Sequence, residues 1–178
     1  MSTQTLPERT GVVTFRGGPM TLVGPALAKG DAAPAFNLTA SGLTPFALDD
    51  ATAKGTRAAL IITVPSLDTP TCSVETSTFH KRLAELPSNV AAFIVSADLP
   101  FAQSRWAEAN EAGKLTYLSD YRGHTFAPSY GVLIKELDLL ARAIFIVAPN
   151  GKIAYAQIVK EIATEPNYDE VFAAAKSV

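Results

Sequence analysis

The sequence predicts an α/β fold: a mixed central sheet with helices on both faces, preceded by an N-terminal β-hairpin. Three observations predict it. Two continuous apolar runs of strand length, residues 58–64 and 90–96, are each followed by a stretch that opens on a proline, as helices do. Asn150-Gly151, a favoured dipeptide of hairpin turns, separates two further strand-like runs at 143–147 and 153–159. Near the start, Gly17-Gly18-Pro19 divides Val-Val-Thr-Phe-Arg at 12–16 from Met-Thr-Leu-Val at 20–23, which reads as a hairpin.

The elements follow in order. Residues 24–34 are a loop, and 35–39 and 45–48 are short strands around Ser41-Gly42. The uninterrupted apolar run 58–64 fits a central strand covered on both faces. A helix over 71–86 carries apolar Val74, Phe79, Leu83 and Leu86, and Pro87 stops it. Residues 90–96 form the next buried strand, and a second helix runs from Pro100 to about 112, ended by Gly113. A short strand at 115–118 and a short helix at 125–130 lead to the hairpin 143–159 and a closing helix over 168–176. No repeat, low-complexity tract or linker divides the chain, so one domain over 1–178 is expected, with its hairpin at about 12–23.

Of the 178 residues, 48% are hydrophobic and 18% charged, enough apolar side chain to bury a core and too much for disorder. A net charge of -2 without a basic block excludes an electrostatic footprint for nucleic acid or for an anionic membrane surface. No apolar run reaches the roughly 18 residues of a membrane span, and Met-Ser-Thr-Gln-Thr-Leu has no leader pattern, so a cytoplasmic protein is expected. Small molecules or proteins are the expected partners.

The one cysteine, Cys72, ends the stretch Val64-Pro65-Ser66-Leu67-Asp68-Thr69-Pro70-Thr71-Cys72. Thr69 followed by Pro70 is a helix start, with a hydroxyl at the N-cap and proline where a missing N–H costs nothing. Cys72 then falls in the first turn, where free N–H groups and the helix dipole favour a thiolate over a thiol. A lone cysteine also reads as a small buried hydrophobe, but the helix start in front of it favours the reactive reading. One cysteine cannot close an intrachain disulfide, and a thiol kept for its reactivity suits a reducing compartment.

The spacing of Pro65, Thr69 and Cys72, Pro-x-x-x-Thr-x-x-Cys, resembles the peroxidatic-cysteine loop of peroxiredoxins. Ser96-Ala97-Asp98-Leu99-Pro100-Phe101-Ala102-Gln103-Ser104-Arg105, then Leu140-Ala141-Arg142-Ala143, Gln157-Ile158-Val159 and Glu161-Ile162-Ala163-Thr164-Glu165-Pro166-Asn167-Tyr168 resemble the bacterial thiol peroxidase branch of that family. The resemblance covers the chain from about residue 12 to its end. It implies a thioredoxin-like fold, which the order of strands and helices also fits. It further implies thiol-dependent reduction of organic hydroperoxides and hydrogen peroxide, with Cys72 passing through a sulfenic acid. By the same resemblance Thr69 donates a hydrogen bond at the sulfur and peroxide, Pro65 shapes and shields the loop, and Arg142 supplies positive charge. Thioredoxin as reductant and a homodimer, with residues near Tyr121-Arg122 and Phe101–Trp106 as candidate interface, are also implied.

Arg142 has a reading of its own. It stands between Leu139-Leu140 and the run 143–147, so its guanidinium is partly desolvated and needs an anionic partner, for which Cys72 is a candidate. His80 lies eight residues past Cys72, roughly 12 Å along a helix, too far for a Cys-His pair. His124 reads as a surface residue, and two histidines with one cysteine lack zinc-ligand spacing, so no metal is expected. Glu75 can neighbour the sulfur, but an acid in a first turn usually serves the dipole. No phosphate loop, dinucleotide fingerprint or Cys-x-x-Cys is present, so no cofactor is expected.

The chain departs from the family at Ala107, where members of this branch carry a resolving cysteine. Three routes stay open: a natural one-cysteine enzyme resolved by an external thiol, a Cys72-Cys72 disulfide between subunits, or a cysteine removed by design. A non-turnover redox sensor or binding module oxidised at Cys72 is the alternative function.

Overall fold

The computed structural model describes residues 6–178. The expectations that concern residues 1–5, the start of the domain and the lack of a leader, lie outside the described residues.

Strands β1 (Glu8–Phe15) and β2 (Gly18–Val23) form the N-terminal hairpin. It turns on Arg16 and Gly17, both in the left-handed region at φ 50° and 79°, so Phe15 pairs with Gly18. Such two-residue turns match the twist of the strands they join. The turn therefore falls one residue earlier than the Gly17-Gly18-Pro19 reading, and Pro19 lies in β2 opposite Thr14. β1 also starts before residue 12: a bulge between Thr10 and Val13 interrupts the alternation that sequence reading depends on.

The chain continues through β3 (Asn37–Thr39), β4 (Pro45–Ala47), α1 (Leu48–Ala51) and β5 (Ala58–Thr63). Next come α2 (Pro70–Arg82), β6 (Val90–Ser96), α3 (Pro100–Ala109), β7 (Thr116–Ser119) and α4 (Phe126–Ser129). Then follow β8 (Leu133–Ile134), β9 (Leu139–Leu140), β10 (Ala143–Val147), β11 (Ile153–Ile158) and α5 (Tyr168–Ala175). The main sheet runs β11-β10-β5-β6-β7-β3-β4, with β5, β6 and β7 parallel and the other pairs antiparallel.

Every residue of β5 is buried because both faces of the sheet are covered. Ala58, Leu60 and Ile62 point to one core with Ile94, Ile144, Phe79 of α2 and Phe172 of α5. Ala59 and Ile61 point to the other, with Phe93, Phe145, Phe126 of α4 and residues of the N-terminal hairpin. On that second face β8 and β9 join the hairpin in a small sheet of order β1-β2-β8-β9, which sequence reading leaves out because each added strand is two residues long.

Two helices end earlier than expected. α2 stops at Arg82 and passes into a 3-10 turn, Leu83–Glu85; Val74, assigned to its apolar face, is 51% exposed. α3 stops at Ala109 because Glu111, not Gly113, takes the left-handed conformation that closes the helix, at φ 53°.

Candidate active site

β5 delivers the chain to residues 64–69, which turn it into α2. Pro65 is buried, Thr69 is the N-cap residue and Pro70 the first helical residue. The Thr69 side chain does not cap the helix: its hydroxyl and its N–H both donate to the Ser66 carbonyl, at 2.9 and 3.1 Å. The Thr69 hydroxyl proton goes to this local turn, and the helix opens with the Ser73 N–H donating to the Thr69 carbonyl at 3.0 Å. Cys72, a free thiol with 0% exposure, sits in the first turn as expected.

The buried face of α2 is Cys72, Glu75, Thr76 and Phe79, spaced i, i+3, i+4 and i+7. Two of these four are polar, so a hydrophobic pattern cannot find the face. Glu75 is fully buried and pairs with Arg142, which corrects its reading as a dipole-serving acid. The available signal was its position, one turn beyond a reactive cysteine on the same face.

Arg142 lies in the link from β9 to β10 and is 1% exposed. Its Nη2 lies 3.4 Å from Cys72 Sγ and its Nη1 binds the Glu75 carboxylate. Nε and Nη2 also donate to the Ile162 carbonyl at 3.0 and 2.9 Å, which fixes the plane of the guanidinium. Burial opposes its charge, but Glu75 and Cys72 outweigh burial and hold it a cation. The structure thus brings Pro65, Thr69, Cys72 and Arg142 to one place. No hydrogen bond or ion pair joins His80 or His124 to this group, and among the described residues no three potential metal ligands cluster.

A pocket of about 440 Å³ opens over the group, lined by Phe15, Pro65, Thr69, Leu139, Ile162 and Arg142. Its walls are mainly apolar, and Cys72 itself is covered. A larger cavity of about 590 Å³ lies between α3 and β7 and takes in Ala107 but none of the Cys72 group, so size alone does not mark the site. Chemically, a thiolate next to a fixed cation, near the free N–H groups of a first helical turn, is a nucleophile able to attack an electrophilic oxygen and to hold the departing charge.

Burial pushes the Glu75 carboxyl up to about 7, against the pull of Arg142, and Glu165 adds to the push. Between its ordinary 4.5 and about 7 the folded chain holds a proton that the unfolded chain releases. The contribution of this group is therefore complete below pH 4.5 and lost as pH rises to about 7. Urea unfolding from pH 5 to 8 is expected to show a steeper loss of stability in the native chain than in Glu75→Gln. Parallel curves for the two would contradict the assignment.

Comparison with known proteins points the same way. Residues 28–172 match the Redoxin family. The thiol peroxidase of Bacillus subtilis is 43% identical over 166 residues, 93% of this chain and 97% of that one. The thiol peroxidase of Clostridium acetobutylicum is 42% identical over 165 residues, 93% and 98% of the two chains. Among solved structures, a peroxiredoxin-like protein from Aquifex aeolicus superposes with a TM-score of 0.86 at 43% identity, covering 95% of this chain and 96% of that one. The thiol peroxidase of Chromobacterium violaceum, at 20% identity and TM-score 0.82 over 93% and 95% of the chains, shares the fold.

Proposed function

The chain belongs to the Redoxin family, and on that premise we propose that Cys72 is the nucleophile of its thiol-dependent peroxidase reaction, with Thr69, Pro65 and Arg142 completing the catalytic group. The fold is thioredoxin-like and the activity is reduction of a hydroperoxide at the expense of a thiol. The observation that carries the residue assignment is the 3.4 Å approach of Arg142 Nη2 to the Sγ of the chain's one cysteine.

The Cys72 thiolate attacks the terminal oxygen of R–O–O–H. The S–O bond forms, the O–O bond breaks, and the alkoxide leaves with the bonding pair and takes from solvent the proton that the thiol released there on becoming a thiolate, giving R–OH. Arg142 offsets the negative charge that moves from sulfur to the leaving oxygen, and the free N–H groups of the first turn of α2 hold the peroxide. Thr69 can serve the peroxide as donor once its hydroxyl turns from Ser66, and as acceptor while it stays. Pro65 walls the pocket and keeps water from the sulfur. The apolar lining favours organic hydroperoxides over hydrogen peroxide, since it adds contact only with a carbon chain.

The product, Cys72-SOH, has no second cysteine in the chain to close on. One external thiol displaces water to form a mixed disulfide, and a second releases Cys72 and leaves as the disulfide, so one hydroperoxide consumes two thiols. Thioredoxin is the proposed thiol donor, the cytoplasm the proposed compartment, a homodimer the proposed assembly and 1–178 one proposed domain. No helix among the described residues is long and apolar enough to cross a membrane. Purified protein with cumene hydroperoxide is expected to turn over steadily with dithiothreitol and with thioredoxin plus its reductase. A single stoichiometric burst with both thiols would instead mark an oxidation sensor.

A further inference from the structure

The motif Ser96-Ala97-Asp98-Leu99-Pro100 contributes no atom to the reaction above, yet it holds the loop in front of Cys72. The half-buried Asp98 accepts Ser66 Oγ–H at 2.7 Å on one carboxylate oxygen. Its other oxygen accepts the Leu67 N–H and Ser96 Oγ–H, each at 2.8 Å. Ser96 Oγ in turn accepts from Gln103 Nε2 at 3.0 Å, and Gln103 is 1% exposed on α3. One carboxylate thus ties residues 66 and 67 to the β6–α3 corner, and through Gln103 to the body of α3.

The bonds continue to the site. The Ser66 held by Asp98 offers the carbonyl that binds both the hydroxyl and the N–H of Thr69. Leu67, 2% exposed, packs in the same core cluster as Cys72. The other polar tie between α3 and this loop, Arg105 to Asp68 at 3.4 Å, joins two side chains 71% and 63% exposed and contributes little.

We propose that Asp98 is a positioning residue of the peroxidase reaction: it latches residues 66–69 over the start of α2, setting the direction of the Thr69 hydroxyl and keeping Cys72 covered. Asp98 does not touch the sulfur; it acts through Ser66 and Leu67. Cys72 has 0% exposure and shares its core cluster with Leu67, so movement of residues 66–69 opens a way to the sulfur for an external reagent. Breaking the latch therefore changes two rates in opposite directions. Attack on hydroperoxide slows as the site loses alignment, and reaction of the thiol with an alkylating reagent quickens as its cover loosens.

The inference rests on Cys72 being the peroxidatic group, and the experiment separates the two. Stopped-flow oxidation of pre-reduced protein by cumene hydroperoxide and alkylation of the same protein by iodoacetamide are measured for the native chain, Asp98→Asn, Ser66→Ala and the double variant, with folding followed by circular dichroism. Oxidation is expected to slow by about tenfold in Asp98→Asn and by less in Ser66→Ala. The double variant is expected to be no slower than Asp98→Asn alone, because the bond that Ser66→Ala removes is one of those that Asp98→Asn has already weakened. Alkylation is expected to quicken in all three. Unchanged oxidation in Asp98→Asn, additive losses, or a loss matched by an equal fall in folded protein would each overturn the latch. A native Cys72 that hydroperoxide leaves reduced would overturn the peroxidatic reading itself.

Discussion

Cys72→Ser is expected to abolish hydroperoxide reduction, with a loss on the order of 10⁴-fold or more, as when a covalent nucleophile is removed from other enzymes. The fold should survive. Serine is smaller than cysteine by little, and Arg142 keeps its bonds to Glu75 and the Ile162 carbonyl, so the cation is not left without partners. Circular dichroism and urea unfolding would establish that the variant is folded, and peroxide consumption with excess dithiothreitol would read the loss. Because the chain holds one cysteine, no second thiol can substitute. Full consumption by the folded variant would place the chemistry elsewhere.

Arg142→Met is expected to reduce activity about 10²- to 10³-fold, the scale on which removal of a fixed charge-stabilising group acts in a dry site. It should also destabilise the fold by about 3–5 kcal/mol, since Glu75 is then left buried without its cation. Uptake of a proton by Glu75 softens that cost, the more so at low pH. The double variant Arg142→Met with Glu75→Gln separates the two effects: stability should return toward that of the native chain while activity stays low. Lysine is no substitute, because a single ammonium cannot bind the Ile162 carbonyl with two donors while also reaching Glu75 and Sγ. Recovery of activity in the double variant would show that Arg142 serves only to neutralise Glu75.

The central strands and the cysteine were legible in the sequence because each rests on a local signal. An unbroken apolar run marks β5 and β6, and Thr69-Pro70 marks the start of α2. Arg142 is singled out mainly by the resemblance of Leu140-Ala141-Arg142-Ala143 to the family, and its apolar flanks add that its cation needs an anion. Its second anion, Glu75, was not legible: a buried acid breaks the pattern that identifies a buried face, and the cation that permits its burial is 67 residues away in sequence. The same limit hid β8 and β9: β8 is held by pairing with β2 of the distant N-terminal hairpin and β9 by pairing with β8, rather than by any run of their own. The end of α3 differs from the sequence reading because a non-glycine residue, Glu111, adopts the conformation that glycine usually supplies. The Thr69 hydroxyl was expected at the helix or the sulfur, and the nearer Ser66 carbonyl took it instead.

The most direct test of Cys72 as the peroxidatic nucleophile is to treat pre-reduced protein with one equivalent of cumene hydroperoxide, without added thiol, in the presence of dimedone, and to map the product by mass spectrometry. The account predicts one dimedone adduct per chain, on the peptide that contains Cys72, formed as fast as the hydroperoxide disappears. Hydroperoxide consumed while Cys72 remains a free, alkylatable thiol would contradict it.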